Sequence, residues 1–348
     1  MVIGYFFGAA FVFAFATVTF DGLHWLLAKN GWCKNGHPGR LFVQLGVELA
    51  VALLLLVVFP LLSVFLALAG IVGRFLLELA RPTQRPKGNI PAPRRGLFVD
   101  GAYHAMHAEF PDRYFGTTTP LFDRLFGTGT AVKDRLVVIT GASGAFGGPF
   151  AELLLDAGAR DVVPLKFGVN YTYFDYRACD TALKNADILV LAHGAKGELA
   201  MQANCDSYLA LIERFRELTR DRKVPPEVWA VGSEIEAHPA WGNPELQVYL
   251  ESKRAYARHA RRYFWDPHFI YRHIVPSAFR SAMGPGLISG RAAARWAWFY
   301  IRRGFRYVPV SYTGIAFINW FKFQFRINAA PAPALKAGEK LRASGAET

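Results

Sequence analysis

Arg135-Leu-Val-Val-Ile-Thr140-Gly141-Ala142-Ser143-Gly144-Ala145-Phe146-Gly147 runs directly into Gly148-Pro149-Phe-Ala-Glu-Leu-Leu-Leu-Asp-Ala157, and the architecture follows from this junction. Its first residues form a short, almost unbroken apolar run, the pattern of a strand buried on both faces. Pro149 to Ala157 has helical character, so the glycines fall at a strand-to-helix turn. There Gly141 permits the tight turn, Gly144 lets backbone amides approach a pyrophosphate, and Gly147 allows close packing of a helix whose N-terminus favours negative charge. Buried-strand runs recur at Asp161–Leu165, Asp187–Ala192, Glu227–Val231 and Phe269–Val275, and Tyr307–Val310 reads as the last strand. Strands alternating with helical segments predict an α/β domain, a doubly wound parallel sheet with a dinucleotide site at that turn.

Tyr249-Leu250-Glu251-Ser252-Lys253 follows about a hundred residues later. A tyrosine and a lysine at this spacing occur often by accident, so position has to carry the reading. The two fall one helical turn apart, on one helix face. They lie sixteen residues after Ser233, which sits just past the strand at Glu227–Val231, where ligands bind in such sheets. Asn204 lies on the helix after the strand at Asp187–Ala192. From the glycine turn to about residue 325 the chain resembles the short-chain dehydrogenase/reductase superfamily, in its TGxxGxxG variant of the Rossmann fold.

That resemblance implies an NAD(P)-dependent oxidoreductase interconverting a carbonyl and an alcohol. Tyr249 would be the general acid, with Lys253 lowering its pKa and holding the nicotinamide ribose. Ser233 would hydrogen-bond the carbonyl, and Asn204 would position a water in the proton relay. Thr140, Gly141, Ser143, Gly144, Ala145, Phe146 and Gly147 would cradle the cofactor, and Pro276, in Val275-Pro276-Ser277-Ala278, would lie beside the nicotinamide. At the end of the second strand, Leu165-Lys166 puts a cation where an acidic residue would bind the ribose hydroxyls of NAD. NADP is therefore expected ahead of NAD. Asp175, near the end of an expected third strand, is the adenine-contact candidate. Ala192-His193-Gly194-Ala195 stands where many members have Asn-Ala-Gly, so His193 and Gly194 would border the cofactor, with His193 either a contact or a loop histidine. The stretch from Ser233 to Tyr249 is slightly long, with Glu234, Glu236, His238 and Trp241 inserted near the pocket mouth.

The first eighty residues have a different solvent. Residues 1–20 carry no charge and would cover roughly 30 Å as a helix, the thickness of a bilayer core. No basic residue precedes them, which argues against a cleaved signal peptide. Leu41 to Ala80 holds only Glu48, Arg74 and Glu78 as charges, is too long for one crossing, and has Pro60 near its midpoint, so two helices folding back at Pro60 to Ser63 are expected. Lys29, Lys34 and Arg40, with Arg81, Arg85, Lys87, Arg94 and Arg95, then fall on one side, the cytoplasm by the positive-inside rule. The catalytic domain would share that side. Residues 81–93 form an extended juxtamembrane linker.

Asp21-Gly22-Leu23-His24-Trp25, Tyr103-His104-Ala105-Met106-His107-Ala108 and Pro120-Leu121-Phe122-Asp123-Arg124-Leu125-Phe126-Gly127-Thr128 resemble the fatty acid hydroxylase and sterol desaturase superfamily. Members of that family hold two irons through about eight histidines. Here only His24, His37, His104 and His107 precede residue 135, and Ala28 stands where a further histidine is expected. The segment is therefore read as an anchor that has lost its metal, with no metal ligands assigned; the alternative is a single residual ion held by His104 and His107, though two imidazoles alone rarely make a site. The whole chain is similar to bacterial fusions of a sterol-desaturase-like segment with such a reductase, which implies a sterol, fatty aldehyde or isoprenoid substrate.

The organisation expected is residues 1–80 transmembrane, 81–134 linker and hydroxylase-like remnant, 135–328 the reductase domain with an amphipathic C-terminal helix, and 329–348 a disordered tail. Apolar content of 52% suits a chain partly in lipid. The net charge of +13 is interleaved with aromatics, which points to an anionic lipid surface and away from nucleic acid. Cys33, Cys179 and Cys205 form no CxxC pair. Ile315 to Arg326, apolar and aromatic with two basic residues, would lie in the bilayer interface or pack on the sheet or against a second subunit. A homo-oligomer or a membrane complex are the partner states considered, besides the bilayer and an apolar small molecule. The rival to an enzyme is a membrane scaffold that keeps a nucleotide-binding fold without catalysis.

Overall fold

The computed structural model describes residues 2–31, 39–80, 88–240 and 244–331. Cys33, Lys34, His37, Arg81, Arg85, Lys87, Trp241 and the tail from residue 332 lie outside the described residues. Contacts divide the chain into two units. One comprises Met1–Ala131 with Lys223–Pro225 and Ile301–Phe305; the other comprises Val132–Arg222, Pro226–Tyr300 and Arg306–Thr348.

The first unit begins with three helices, α1 (Val2–Lys29), α2 (Gly39–Leu54) and α3 (Leu61–Ala80), and the stretches Ile3–Lys29, Gly39–Val57 and Leu61–Leu79 are long and apolar enough to cross a membrane. α2 ends in a tight turn, Leu55–Val57, and Pro60 separates it from α3, the break expected of a residue with no amide hydrogen. Their mutual contacts are made by Ala9, Val12, Ala16, Ala52, Val64, Ala67 and Ile71, small or β-branched residues that let helix backbones approach. The outer surface is apolar as well, with Phe7, Phe11, Phe15, Val43, Leu54, Leu61 and Phe65 exposed. A helix apolar on every side needs a nonaqueous surrounding. The charges inside the bundle pair with one another: Arg74 bridges Glu48 and Glu78, and the Gln44 amide donates to Glu48.

α1 is longer than its uncharged segment. It continues through Asp21, His24 and Trp25 to Lys29, because Leu23, Leu26 and Leu27 sustain a helix that Gly22 alone does not break. Two shorter helices follow, α4 (Gly101–Glu109) and α5 (Leu121–Phe126).

The second unit is built on β1 (Leu136–Thr140), α6 (Gly147–Asp156), β2 (Asp161–Leu165), α7 (Asp180–Asn185), β3 (Ile188–Leu191), α8 (Ser207–Leu218), β4 (Glu227–Val231), α9 (Pro244–Tyr263), β5 (Ile270–Pro276), the two-residue β6 (Phe279–Arg280) and β7 (Ile288–Ser289), α10 (Gly290–Ile301), β8 (Tyr307–Val310) and α11 (Ile315–Gln324). Six strands form one parallel sheet in the order β2-β1-β3-β4-β5-β8. This is a doubly wound, Rossmann-type sheet. From β1 the chain steps outward to β2, then returns to the other side of β1 for β3, so the topological switch lies between the C-terminal ends of β1 and β3. Near the N-terminal ends of the central strands, Glu227 accepts from Arg135, Arg272 and Trp229. Burial opposes its ionisation, and the two guanidiniums outweigh burial to hold its pKa low.

The expected third strand is absent from this sheet. Residues 166–176 fold back on themselves: Gly168 takes φ +78°, its amide bonds the Tyr171 carbonyl at 2.8 Å, and β2 is left as an edge strand containing Pro164. Asp175 thus lies in an irregular loop, not beside a strand end, and its carboxylate forms an exposed ion pair with Arg177 at 2.8 Å.

Candidate active site

Thr140 ends β1 in register with Leu165 of β2 and Leu191 of β3. The glycine turn begins at the switch point itself. A methyl group on Gly141 would lie 2.6 Å from the Ala192 carbonyl, and its φ is +69°. One on Gly147 would collide with the Gly141 carbonyl. The turn is pressed against the end of β3 and closed on itself by the Gly144 amide, which bonds the Gly141 carbonyl at 3.0 Å. Ser143, Gly144 and Ala145 remain exposed ahead of the N-terminus of α6, as a pyrophosphate cradle requires. Lys166, one residue beyond Leu165, is exposed at the same level of the sheet. These features fit a dinucleotide.

Several residues expected at the cofactor have partners within the chain. Thr140 is fully buried, and its hydroxyl takes the Ala192 amide at 3.2 Å and the His193 ring at 2.7 Å, tying β1 to the end of β3. Phe146 turns its ring inward onto Phe150, 5.2 Å away, leaving only its backbone to the turn. His193 is held at both ring nitrogens, by Thr140 and by Ser207, each at 2.7 Å. Burial, then the nearby Lys253 ammonium, pushes its pKa down to about 3, so it is a neutral strut between two hydroxyls. Asp175 is held at its arginine, which lowers its pKa to about 2.

Asn204 is buried in a wide helical turn, Gln202–Asp206, that precedes α8. Its amide clamps three points: it donates to the Ala195 carbonyl at 2.8 Å and the Ser252 hydroxyl at 2.9 Å, and accepts from the Ala195 amide at 3.2 Å. Gly194 has to be glycine for this clamp, since a methyl there would come within 2.8 Å of the Asn204 carbonyl oxygen. Ser252 passes the link on to α9 by donating to the Tyr249 carbonyl at 2.7 Å.

Ser233 follows β4 and caps the short turn Glu234–Ala237. Its hydroxyl accepts from the Ile235 amide at 3.4 Å and lies near enough to the Tyr249 phenol to lower its pKa. Lys253 is 3% exposed, and its ammonium donates to the Val231 carbonyl at 3.0 Å while lying 5.3 Å from the Tyr208 ring and 5.9 Å from the Tyr249 ring. Burial brings its pKa down to about 8, with Glu236 acting in the opposite sense. The expected lowering of the Tyr249 pKa is not found. Burial raises it to about 12 against the lowering effect of Ser233, and the ammonium is directed to a backbone carbonyl instead of the phenol oxygen. Ser233, Tyr249 and Lys253 thus meet beyond β4, with Asn204 joined to them through Ser252 and the glycine turn across β3.

Two supports were not foreseen. The Tyr208 hydroxyl lies within hydrogen-bond reach of the carbonyls of Leu191, His193 and Val231, pinning the ends of β3 and β4 under Lys253. It stands one helical turn after Asn204, a spacing that could have revealed it. Glu234 accepts from the hydroxyls of Ser277, Ser311 and Thr313 and from the Ala316 amide; burial would raise its pKa, and these four bonds hold it below the usual value. They anchor the Ser233 turn to Pro276-Ser277, where Pro276 is buried at the end of β5. Beyond it, Lys196 from the loop after β3 donates to the Met283 carbonyl.

No sequence-family profile matches the chain. It is 27% identical over 270 residues to a monoglucosyldiacylglycerol epimerase of a Synechocystis strain, covering 69% of this chain and 65% of that relative's length. Among solved structures it is similar to a short-chain dehydrogenase from Burkholderia cenocepacia in complex with NADP, at 17% identity and a TM-score of 0.47, covering 56% of this chain and 97% of that one. A short-chain dehydrogenase/reductase from Burkholderia phymatum in complex with NAD gives 14% identity and a TM-score of 0.42, over 59% of this chain and 99% of that one.

Proposed function

We propose that the chain is a membrane-tethered, NAD(P)-dependent oxidoreductase that interconverts an alcohol and a carbonyl on a lipid-like substrate. The observation that carries this reading is the meeting of Ser233, Tyr249 and Lys253 across β3 from a turn at which Gly141 and Gly147 admit no side chain. The exposed Lys166 level with that turn favours NADP over NAD. A bound nicotinamide supplies or accepts the hydride. The Tyr249 phenol, protonated at neutral pH, gives its proton to the substrate oxygen, and the Ser233 hydroxyl holds that oxygen. The Lys253 ammonium stabilises the phenolate left behind. Asn204 acts at a remove, by fixing the Ala195 backbone and α9 in register.

Three helices fit for a bilayer support the tether, and Lys29 and Arg40 at their ends, with Arg94 and Arg95 further along the chain, support a cytoplasmic placement of the second unit. A lipid substrate is supported by the same helices and by the Synechocystis relative, whose name specifies a glycosylated diacylglycerol. That relative also favours a second reading, epimerisation. Here Tyr249 in its phenolate form would accept the hydroxyl proton as the carbinol gives its hydride to the bound dinucleotide, then return the proton when that hydride reduces the ketone from its other face, with no net use of dinucleotide.

The test is to incubate the full chain in nanodiscs with NADP(H) and, in parallel, lipid aldehydes, sterol ketones and monoglucosyldiacylglycerol. Oxidation of NADPH matched to loss of a lipid carbonyl supports the reductase. Inversion of the sugar carbinol without net NADPH change supports the epimerase. Absence of both, together with absence of dinucleotide binding, would leave the scaffold alternative in place of either.

A further inference from the structure

We propose that the outward face of α11, continued to Ile327, seats the second unit on the anionic headgroup region of a bilayer. The inference leans on the membrane tether proposed above and not on the redox chemistry. α11 resolves the alternatives open for its sequence in part, because its inner face does pack on the sheet. Ala316, Asn319 and Phe323 recur at helical spacing and are buried, with the Phe323 ring 4.6 Å from His273 and 5.1 Å from Tyr307. The other face remains uncovered: Phe317, Ile318, Trp320, Phe321, Phe325 and Ile327 are exposed, Ile318 by 70% and Phe325 by 72%. A helix packed on a soluble domain carries polar residues there.

The margin of this face is basic. Residues 313–331 contain no Asp or Glu, Lys322 and Arg326 lie among the aromatics, and Arg258 is exposed alongside on α9. The chain beyond α11 is pinned to α9, since Arg261 donates to the Ile327 carbonyl at 2.8 Å and the Ala330 amide bonds the Arg258 carbonyl at 3.0 Å. Arg326 lies 4.6 Å over the Trp265 ring. Aromatics flanked by arginines and lysine are complementary to apolar chains beneath anionic headgroups. A second copy is a poorer occupant, because a two-fold interface would set this basic margin against itself. The three apolar helices hold a bilayer at high effective concentration. Asn319 also donates to Glu236 at 2.7 Å, in the turn that follows Ser233, so a helix seated on lipid is hydrogen-bonded to the substrate side of the site.

The test uses the full chain with Cys33→Ser, a nitroxide on Ile318→Cys and, for comparison, on Glu217→Cys of α8, in phosphatidylcholine/phosphatidylglycerol vesicles. Collision with oxygen, which concentrates in lipid, is compared with collision with a water-soluble nickel chelate. Oxygen exceeding nickel several-fold at 318, with the reverse at 217, is expected. Frequent nickel collisions at 318 would place the face in water, and low rates for both would place it against protein; either overturns the proposal. Flotation separates the failures. Chain that floats with vesicles yet shows a watery 318 leaves the tether standing, whereas chain that does not float removes both.

Discussion

The histidine segment of the first unit and the tyrosine–lysine segment of the second both keep residues that resemble a catalytic signature, yet they keep them for different physical reasons. In the first unit, Asp123 accepts from the Tyr103 hydroxyl at 2.7 Å, the amides of Phe115 and Gly116 at 3.1 and 2.7 Å, and the Thr128 hydroxyl. Asp21 does the same for residues 117–119. Trp25 stacks on Phe126 at 4.3 Å and donates to Thr128 at 3.1 Å. Those signature residues hold loops together. The His104 ring plays no such part. Burial first, then Arg40, His107 and His24, pushes its pKa down to about 3, and no group of three or more His, Cys, Asp or Glu among the described residues could hold a metal. In the second unit, the supporting groups are satisfied, and Ser233, Tyr249 and Lys253 lie together beyond β4. A signature that persists as hydrogen-bonded scaffolding teaches about fold; one that persists as converging, incompletely partnered groups teaches about chemistry.

Measurements at both segments bear on that contrast. Tyr249→Phe is expected to lower turnover by about 10³-fold, within the range for losing a general acid, while NADPH fluorescence titration shows binding unchanged. Undiminished turnover would put Tyr249 in the same class as Asp123. Next in size, Gly147→Val drives a side chain into the Gly141 carbonyl and should weaken dinucleotide binding by at least about ten-fold, read by calorimetry. The pH profile follows. Because Lys253 titrates near 8, kcat/KM for carbonyl reduction should fall as pH rises through about 8, approaching ten-fold per unit.

The same lysine gives a stability signature of known sign. Its folded pKa is depressed below the unfolded value, so between pH 8 and the ordinary lysine range the unfolded chain binds more protons and stability rises with pH. Lys253→Met should flatten that rise and raise the melting temperature as it abolishes turnover. The smallest effect is expected at His104→Leu, which replaces a neutral, desolvated ring: turnover within about two-fold of the parent, unaltered by chelators. A large loss there would mean that the first unit takes part in the chemistry.

Much of the second unit was legible because its signals are local. The runs at 136–140, 161–165 and 227–231 are strands since apolar continuity and flanking turn residues suffice to specify them. The strand near Asp175 was not, because Phe167, Val169, Tyr171 and Tyr173 alternate as a strand would, and only the Gly168 turn and the Pro164 edge decide otherwise. Within the site, Ser233, Tyr249, Lys253 and Asn204 could be named from spacing. The supporting roles of Ser252 and Glu234 could not, since they lie in bonds to groups 43 to 82 residues away.

The phosphate turn, the parallel α/β alternation, three bilayer-length helices and the break at Pro60 are properties of the sequence alone, because each is set by neighbours within a few residues. Other features emerge with the packed chain: Thr140 and His193 brace the sheet, Lys253 directs its ammonium to the Val231 carbonyl, the Tyr249 phenol is raised to about 12, and α11 is apolar on both faces. Burial and the partners of a buried polar group depend on what distant chain segments bring beside it, and residue spacing does not carry that information.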